Sequence, residues 1–412
     1  MQNIFNDYVQ GLETYVMFRI KETVSRITPE LTAKNRAPIS LSMGAPTQAP
    51  PKYVTEALKR ALDEDNINTY STPKGEKFFR EACALRMKNR FGVELNPDTE
   101  IHSLIGSKEG LANIIRILLN PSVNESEKEI IMIPDPGYAS YKEMIKVSGG
   151  IAYSIPLIAD DNYMPDMEKV MANLEKDGFN PKKVKALLIN YPNNPLGATA
   201  TLEYLASVVS FCKKHGILLI SDAAYSDLYF KDELKPASIF QVEGAKDVAV
   251  EFFSFSKPYA MTGWRLGWIC GNSDAVKMFG KLKSTLDSGI FKALQKAGAE
   301  VLNSKEGDEY ITKANIGFRK NQQIFAQGLK ELGWQNFNVP DATFYFWLPI
   351  PPRYKSSVEF TDDLMHKSGV IVVPGDAFGK YGEGFFRVSI VCSEEKLREA
   401  IQRMKDDGFY FN

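Results

Sequence analysis

The chain is poor in the residues that build disulfide frameworks and metal centres. Its 412 residues include three histidines and four widely separated cysteines, Cys83, Cys212, Cys270 and Cys392. No CxxC or HExxH pattern occurs. Because zinc sites need closely spaced ligands and disulfide scaffolds need many cysteines, we expect buried free thiols and no metal site. The shortage of histidine also disfavours a Ser-His-Asp triad.

One-sided charge and long apolar runs are missing as well. Fifty Lys and Arg residues face fifty-one Asp and Glu residues, which gives a net charge of -1. This balance disfavours nucleic acids and anionic membranes as partners, since both attract basic proteins. No stretch approaches the roughly 18 apolar residues of a membrane span. Residues 1–7 lack the basic and then apolar order of a signal peptide, so we expect a cytoplasmic protein.

The composition is typical of a folded protein with more than one core. Apolar residues make up 44% and charged residues 25% of the chain, as in ordinary globular domains. Its length exceeds the roughly 100–200 residues of one domain, and we find no repeats and no low-complexity linker. Two domains are therefore expected.

In the middle of the chain, short β-branched apolar runs alternate with helical patterns, which is typical of a parallel sheet flanked by helices. Residues 202–215 have helical spacing, with Thr201 as a candidate N-cap and Gly216 as a stop, and predict a βαβ unit. Glycines after residue 260 indicate tight turns and an antiparallel partner. The apolar runs lie at residues 129–133, 185–189, 217–220, 248–253 and 266–270.

The pattern changes after a long amphipathic helix predicted at residues 308–332. Short strands and helices follow, around residues 343–348 and 370–374. A helical stretch at residues 15–27 is expected to pack with this last part, which would make the smaller domain discontinuous. The predicted division is an N-terminal segment at 1–45 that packs with the small domain, a large domain at 46–307 and a small C-terminal domain at 308–412.

The most informative segment is Ser254-Phe255-Ser256-Lys257, which follows an apolar run and precedes Arg265. Strand ends in α/β sheets present the groups that bind ligands. A lysine there can form an imine with a carbonyl, while hydroxyl groups and a guanidinium hold a phosphate. Pyridoxal phosphate requires this combination. For the short string alone, a solvated surface lysine is the alternative.

Asp222 and Tyr225 follow another apolar run. A carboxylate at such a strand end can keep a pyridine nitrogen protonated, so that the ring accepts electrons from a carbanion. Tyr225 can donate to the phenolate oxygen of the same cofactor, and so can Asn194, which stands between Pro192 and Pro195. The alternatives are a turn cap for Asp222 and an ordinary turn around Asn194.

Three further segments suit the same chemistry. Residues 106–110 open a predicted helix at 111–119, and free N–H groups at such a start form an anion cup. Tyr138 could lie against a cofactor ring or belong to the core. Arg387 stands in an apolar strand, where its charge needs a partner. A substrate carboxylate or an internal salt bridge would supply that partner.

Taken in order, these segments resemble the class I/II aminotransferases, the aspartate-aminotransferase fold type of pyridoxal-phosphate enzymes, over essentially the whole chain. The resemblance implies an α/β fold. Its large, cofactor-binding domain would contain a mostly parallel seven-stranded sheet flanked by helices, beside a smaller α+β domain. It also implies pyridoxal 5'-phosphate as the cofactor and Lys257 as the Schiff-base lysine and proton shuttle.

Other site roles follow from the resemblance. Asp222 would pair with the pyridine nitrogen, and Asn194 and Tyr225 would contact the phenolate oxygen. Tyr138 would stack on the ring. The substrate α-carboxylate would be held by Arg387, with help from Gly44 and Asn194. The phosphate ligands would be Ser107, Lys108, Ser254, Ser256 and Arg265, joined by Tyr70 from a neighbouring subunit, which implies a homodimer with shared active sites.

Within the family, three segments resemble those of LL-diaminopimelate aminotransferases in sequence and order, at residues 105–110, 243–246 and 286–291. The best-known of those enzymes carry an acidic residue shortly after the phosphate tyrosine, whereas residues 71–74 here read Ser-Thr-Pro-Lys. The implied reaction is ping-pong transfer of an amino group between an L-amino acid and a 2-oxo acid. LL-diaminopimelate and 2-oxoglutarate are a candidate pair.

Other functions stay open at this point. An aspartate, alanine or aromatic aminotransferase, or a C–S lyase of the same fold, would differ in the side-chain pocket, for which Tyr15, Lys74, Lys108 and Asp287 are candidates. A transcription regulator with this fold would carry a basic helix-turn-helix domain, for which the segment before Gly44 has no room. A purely structural protein would have no need of the full set of charged site residues.

Overall fold

The structure is a computed structural model that describes residues 4–13 and 16–412. Its strands, in chain order, are β1 (Ile39–Ser40), β2 (Ile101–Leu104), β3 (Ile130–Asp135), β4 (Ile151–Pro156), β5 (Val184–Ile189), β6 (Leu218–Asp222), β7 (Ala249–Ser254), β8 (Gly267–Gly271), β9 (Tyr345–Pro349), β10 (Val370–Ile371), β11 (Val373–Pro374) and β12 (Phe385–Ser389). Its α-helices are α1 (Asp7–Gln10), α2 (Val16–Ala33), α3 (Lys52–Leu62), α4 (Lys77–Phe91), α5 (Ser107–Leu118), α6 (Ser140–Val147), α7 (Met167–Lys176), α8 (Leu202–His215), α9 (Ser273–Leu286), α10 (Lys292–Leu302), α11 (Lys305–Glu331), α12 (Ser357–Ser368) and α13 (Glu394–Asp406).

The main sheet has seven strands in the order β2-β8-β7-β6-β5-β3-β4. All of them run parallel except β8, which lies antiparallel between β2 and β7. Every residue of β3 and β7 is buried. Continuous apolar runs are expected for such strands, because helices cover both faces of the sheet. The mostly parallel sheet and the antiparallel partner after residue 260 are thus confirmed.

Local signals placed the helix α8 accurately. The Thr201 hydroxyl accepts a hydrogen bond from the Tyr204 N–H at 3.1 Å, and Gly216 ends the helix with a φ of 64°. Two other helices begin earlier than predicted. The helix α11 begins at Lys305, where Ser304 supplies the N-cap, rather than at Asp308. The helix α5 begins at Ser107 rather than Leu111, because the backbone turns at Gly106.

A second core lies against the three-stranded sheet β11-β12-β9, whose strands are antiparallel. The N-terminal part reaches this region in two places. Strand β1 pairs in parallel with β10, and Ile27 and Leu31 of α2 pack with Met365 and Ile371. The discontinuous small domain and the boundaries at residues 45 and 307 remain predictions.

The cysteines do not all behave alike. Cys83, Cys212 and Cys270 are free, buried thiols, as expected. The expectation is wrong for Cys392, which is only half-buried because it lies in the loop between β12 and α13. In the described part of the chain, no helix is long and apolar enough to cross a membrane.

Candidate active site

A cavity of about 330 Å³ opens where the carboxyl ends of β5, β6 and β7 face strand β12. Parallel strands end at one edge of the sheet, so the polar residues after each strand meet there. The cavity brings together most of the residues predicted from the sequence, namely Gly44, Ser107, Lys108, Tyr138, Asn194, Asp222, Tyr225, Ser254, Ser256, Lys257, Arg265 and Arg387.

Three candidates lie outside the cavity, and a fourth falls on a residue that the structure does not describe. Tyr70 does not line the cavity and is 86% exposed on the surface. Tyr15 lies outside the described residues. Two suggestions for the side-chain pocket, Lys74 and Asp287, do not line this cavity in a single copy of the chain. The Lys74 ammonium donates to the backbone of Asp98, and Asp287 pairs with the buried Lys283 ammonium at 2.6 Å.

The Lys257 amine lies inside the cavity. It donates to the Gly44 carbonyl and sits 5.8 Å from the centre of the Tyr225 ring. Burial, together with the charges of Arg387 and Arg265, lowers the pKa of Lys257 to about 8, while Asp222 opposes this shift. An amine with this pKa is partly neutral near pH 7, and only the neutral form is a nucleophile or a base.

Asp222 is a buried carboxylate at the end of β6. Its Oδ2 accepts a hydrogen bond from the Tyr141 hydroxyl at 2.6 Å, and its Oδ1 accepts one from the Ala224 N–H at 3.3 Å. Burial raises the pKa of Asp222, and both hydrogen bonds oppose that rise. These donors favour an ionised carboxylate that is ready to pair with a cationic ring nitrogen.

An anion cup forms beside Arg265. The helix α5 starts at Ser107, so its first N–H groups have no partner within the helix. Gly106, with a φ of 78°, allows the guanidinium to approach, because a Cβ there would lie 2.3 Å from Arg265 Nη2. Arg265 Nη1 donates to the Thr262 carbonyl at 2.8 Å. The hydroxyl groups of Ser254 and Ser256 line the same cavity.

Arg387 is a buried cation, 5% exposed, whose hydrogen-bond partners among the described residues are neutral. Its Nη1 donates to Asn194 Oδ1 and its Nη2 to the Ser42 carbonyl, both at 2.8 Å. Its Nε has no partner among the described residues, and no described carboxylate lies within ion-pair distance. The internal salt bridge that the sequence left open is therefore absent from the described part of the chain.

Sequence reasoning missed three contacts of the cavity. Tyr141 binds Asp222, and the Asn190 amide donates to the backbone carbonyl of Asp222 at 2.8 Å. The Tyr345 hydroxyl lies 2.9 Å from that of Tyr225. Asn190 could have been found as a polar residue directly after an apolar strand. Tyr141 and Tyr345 look like ordinary core aromatics, and the sequence holds no signal that separates them from others.

These residues fit pyridoxal phosphate. An anion cup matches its phosphate, the Lys257 amine its carbonyl carbon and the Asp222 carboxylate its ring nitrogen. Both Arg265 and Arg387 lack a carboxylate partner among the described residues. No described carboxylate neutralises these two cations. Each can therefore bind an anionic group, one on the cofactor and one on the substrate.

Comparisons with known proteins agree with this geometry. The family described as aminotransferase class I and II matches residues 36–404. LL-diaminopimelate aminotransferase 2 of Trichormus variabilis is 40% identical over 391 residues, which are 94% of this chain and 96% of that protein. The substrate-bound structure of BacF from Bacillus subtilis has a TM-score of 0.91 at 32% identity, over 100% of this chain and 99% of that one.

An aspartate aminotransferase double mutant from Thermus thermophilus has a TM-score of 0.87 at 26% identity, over 98% of this chain and 99% of that one. The predicted family, fold, cofactor and enzyme class are confirmed. The chain therefore belongs to the class I and II aminotransferases and is a pyridoxal-phosphate-dependent transaminase with the aspartate-aminotransferase fold.

Proposed function

We propose that the protein transfers an amino group by a ping-pong mechanism, with LL-diaminopimelate as amino donor and 2-oxoglutarate as acceptor. One observation carries the transaminase mechanism. The Lys257 amine, with a pKa lowered to about 8, shares a cavity with the buried Arg387 guanidinium, which has no carboxylate partner among the described residues. A base and a carboxylate receptor in one place are what proton removal from an amino acid requires.

The residues assigned to the cofactor are those already gathered in the cavity. Asp222 would hold the ring nitrogen, and Asn194 and Tyr225 the phenolate oxygen, while Tyr138 covers one face of the ring. When bound, the cofactor supplies a carbonyl carbon that bonds to amines and a ring that accepts electrons from Cα. The phosphate would be held by Ser107, Lys108, Ser254, Ser256 and Arg265.

Lys257 and Arg387 then divide the work on the substrate. Arg387 binds the α-carboxylate through N–H donors that Asn194 and Ser42 leave free. This grip orients the Cα–H bond, so that the neutral Lys257 amine can take the proton from Cα and return it at the cofactor's carbonyl carbon. Asp222 keeps its negative charge beside the ring nitrogen throughout, stabilising the charge that develops in the transition state.

The choice of substrate is supported by similarity. Relatives named LL-diaminopimelate aminotransferase are 36–40% identical over nearly the whole chain. Residues 71–74 differ from the acidic pattern of the best-known members. In a single copy of the chain, Lys74 lies outside the cavity and donates to the backbone of Asp98. Aspartate, alanine or aromatic amino acids, or C–S cleavage, are the alternative substrates and reaction for the same site.

We further propose a homodimer in the cytoplasm. Tyr70, at 86% exposed, belongs to a surface with Leu286 and Phe291, which are 48% and 44% exposed. This surface is continuous, because the Lys292 ammonium donates to the Asn66 carbonyl at 3.2 Å and ties α10 to the segment before Tyr70. A second copy seated here would bring Tyr70 to the partner's phosphate. Four unpaired thiols suit a reducing compartment.

A half-reaction tests the function and the substrate together. The cofactor-loaded protein is mixed separately with LL-diaminopimelate, aspartate, alanine, glutamate and phenylalanine, and the visible absorbance of the cofactor is followed. Fast bleaching by LL-diaminopimelate, and by glutamate as the reverse donor, is expected. Bleaching by another amino acid but not by LL-diaminopimelate would refute the substrate, and no bleaching by any of them would refute transamination.

The matched variants are Lys257→Ala and Lys277→Ala. Lys277 is an exposed lysine on α9, so its loss should leave bleaching unchanged. Loss of Lys257 removes the base and should abolish turnover, while the phosphate contacts still retain some cofactor. Appreciable turnover by Lys257→Ala would exclude the assigned role.

A further inference from the structure

Tyr345, the first residue of β9, joins two parts of the site. It lies opposite Ser389 on β12, so its side chain shares a face of this sheet with Arg387, two residues away. The Arg387 guanidinium carbon lies 4.3 Å from the centre of the Tyr345 ring. The Tyr345 hydroxyl lies 2.9 Å from the Tyr225 hydroxyl. One buried side chain therefore touches both the carboxylate receptor and the phenolate ligand.

The backbone around Gly44 is shaped to this hydroxyl. A Cβ at position 44 would lie 2.7 Å from Tyr345 Oη, so only glycine leaves room for it. The carbonyl of the same residue accepts the hydrogen bond from the Lys257 amine. Tyr345 is 1% exposed, and its ring also packs against Tyr225 at 5.7 Å between centres. The side chain is held on several sides, as a positioning residue requires.

We propose that Tyr345 is a positioning residue, whose hydroxyl donates to the Tyr225 oxygen and whose ring supports the Arg387 guanidinium. This inference rests on the proposed function, because it assigns Tyr225 to the cofactor's phenolate oxygen. If Tyr225 donates its own proton to the phenolate oxygen, it cannot also donate to Tyr345. The Tyr225 oxygen must then accept a hydrogen bond from the Tyr345 hydroxyl.

The charges around the pair favour this direction. Arg387 approaches the face of the Tyr345 ring, and a cation beside a phenol makes its hydroxyl a stronger donor. Among the described residues, the other charged groups that face the pair are Lys257, over the Tyr225 ring, and Asp222 at the end of β6. A donated hydrogen bond polarises the next one in a chain. Tyr345 therefore strengthens the donation by Tyr225 and stabilises the phenolate charge.

The test is a pH titration of the visible absorbance of the cofactor-loaded protein, which reports the proton shared between the Lys257 nitrogen and the phenolate oxygen. Tyr345→Phe weakens the hydrogen bond donated to the phenolate, so the phenolate holds the shared proton more strongly. The midpoint of the absorbance titration should therefore rise by about half a pH unit. Because the ring stays under Arg387, KM for the amino donor should stay within about twofold. Tyr345→Leu removes the ring as well and should add a rise in KM of about fivefold.

Two comparisons keep the test decisive. In a Tyr225→Phe background, Tyr345→Phe should cause no further shift, since the hydroxyl that it serves is gone. Tyr354→Phe, which removes a hydroxyl that donates to Asp363 at 2.7 Å in the same part of the chain, should leave midpoint and KM unchanged. A wild-type midpoint in Tyr345→Phe, or the same shift in both backgrounds, would overturn the proposal. Failure of the wild type to transaminate would instead overturn the proposed function.

Discussion

Replacing Arg387 by lysine separates the charge of this residue from its geometry. Arginine presents five N–H donors in a planar fork, whereas lysine presents a point charge on a flexible stem. In this protein, two of the donors are used by Asn194 and the Ser42 carbonyl. The Nε–H and the remaining Nη hydrogens are left for a carboxylate. Arg387→Lys keeps the positive charge near Lys257 but cannot serve the two protein acceptors and both carboxylate oxygens.

The expected loss follows from the number of contacts. A hydrogen bond to a charged group contributes about 1.5–3 kcal/mol. Loss of one of the two carboxylate contacts should therefore lower kcat/KM by about 10- to 100-fold, since 1.4 kcal/mol is a factor of ten. Because the lysine charge still repels the Lys257 ammonium, the low pKa of Lys257 should persist. Arg387→Gln removes that repulsion and should raise the pKa.

Steady-state kinetics with the donor identified by the half-reaction measure the loss. Arg403→Lys is the matched control, because Arg403 is also buried but donates to the carbonyls of Ala37 and Ser368, away from the cavity. This control should lose stability and keep its KM. A decrease of less than threefold for Arg387→Lys, with the fold intact, would show that a point charge suffices and that the fork has no part in recognition.

Two other predictions concern the cofactor end of the cavity. Gly106→Ala should weaken cofactor binding at least tenfold, because the new Cβ would lie 2.3 Å from Arg265 Nη2. Gly92→Ala is the control, since Gly92 has a similar positive φ but a Cβ there meets nothing within 4 Å. This control should lose only about 1–2 kcal/mol of stability. Equal cofactor affinities in equilibrium dialysis would contradict this. In the cofactor-free protein, acylation of Lys257 should rise with pH to a midpoint of about 8, since a lowered pKa frees the amine at lower pH. Asp222→Asn should lower that midpoint, because Asp222 opposes the shift; a midpoint near that of free lysine would contradict the assignment.

The sequence predicted the parts of the site that belong to strand ends. Asp222, Ser254 and Lys257 follow continuous apolar runs, and parallel strands force such residues to one edge of the sheet. The helix α8 was found because its caps are local. Contacts made by tertiary packing alone were not predictable. Tyr345 is separated from Tyr225 by more than a hundred residues, and its role depends on the register of β9 against β12.

The same limit applies to the suggestions that do not line the cavity. Lys74 and Asp287 were chosen for their charge, but the Lys74 ammonium donates to the backbone of Asp98 and Asp287 pairs with Lys283. Arg387 was ambiguous because a sequence does not show whether a buried charge meets an acid. The structure shows that Arg387 contacts Asn194 and the Ser42 carbonyl rather than a carboxylate. These neighbours distinguish a binding site for a substrate carboxylate from an internal salt bridge.

The antiparallel strand β8 has a consequence for how such an enzyme can evolve. It pairs with both β2 and β7, so the segments that carry Ser107, Ser254 and Arg265 emerge from three adjacent strands of one rigid sheet. Arg387 and Tyr345 belong to a different sheet, formed by β9, β11 and β12. Mutations in the second sheet can therefore alter the contacts of Arg387 and Tyr345 while the residues of the anion cup are inherited unchanged.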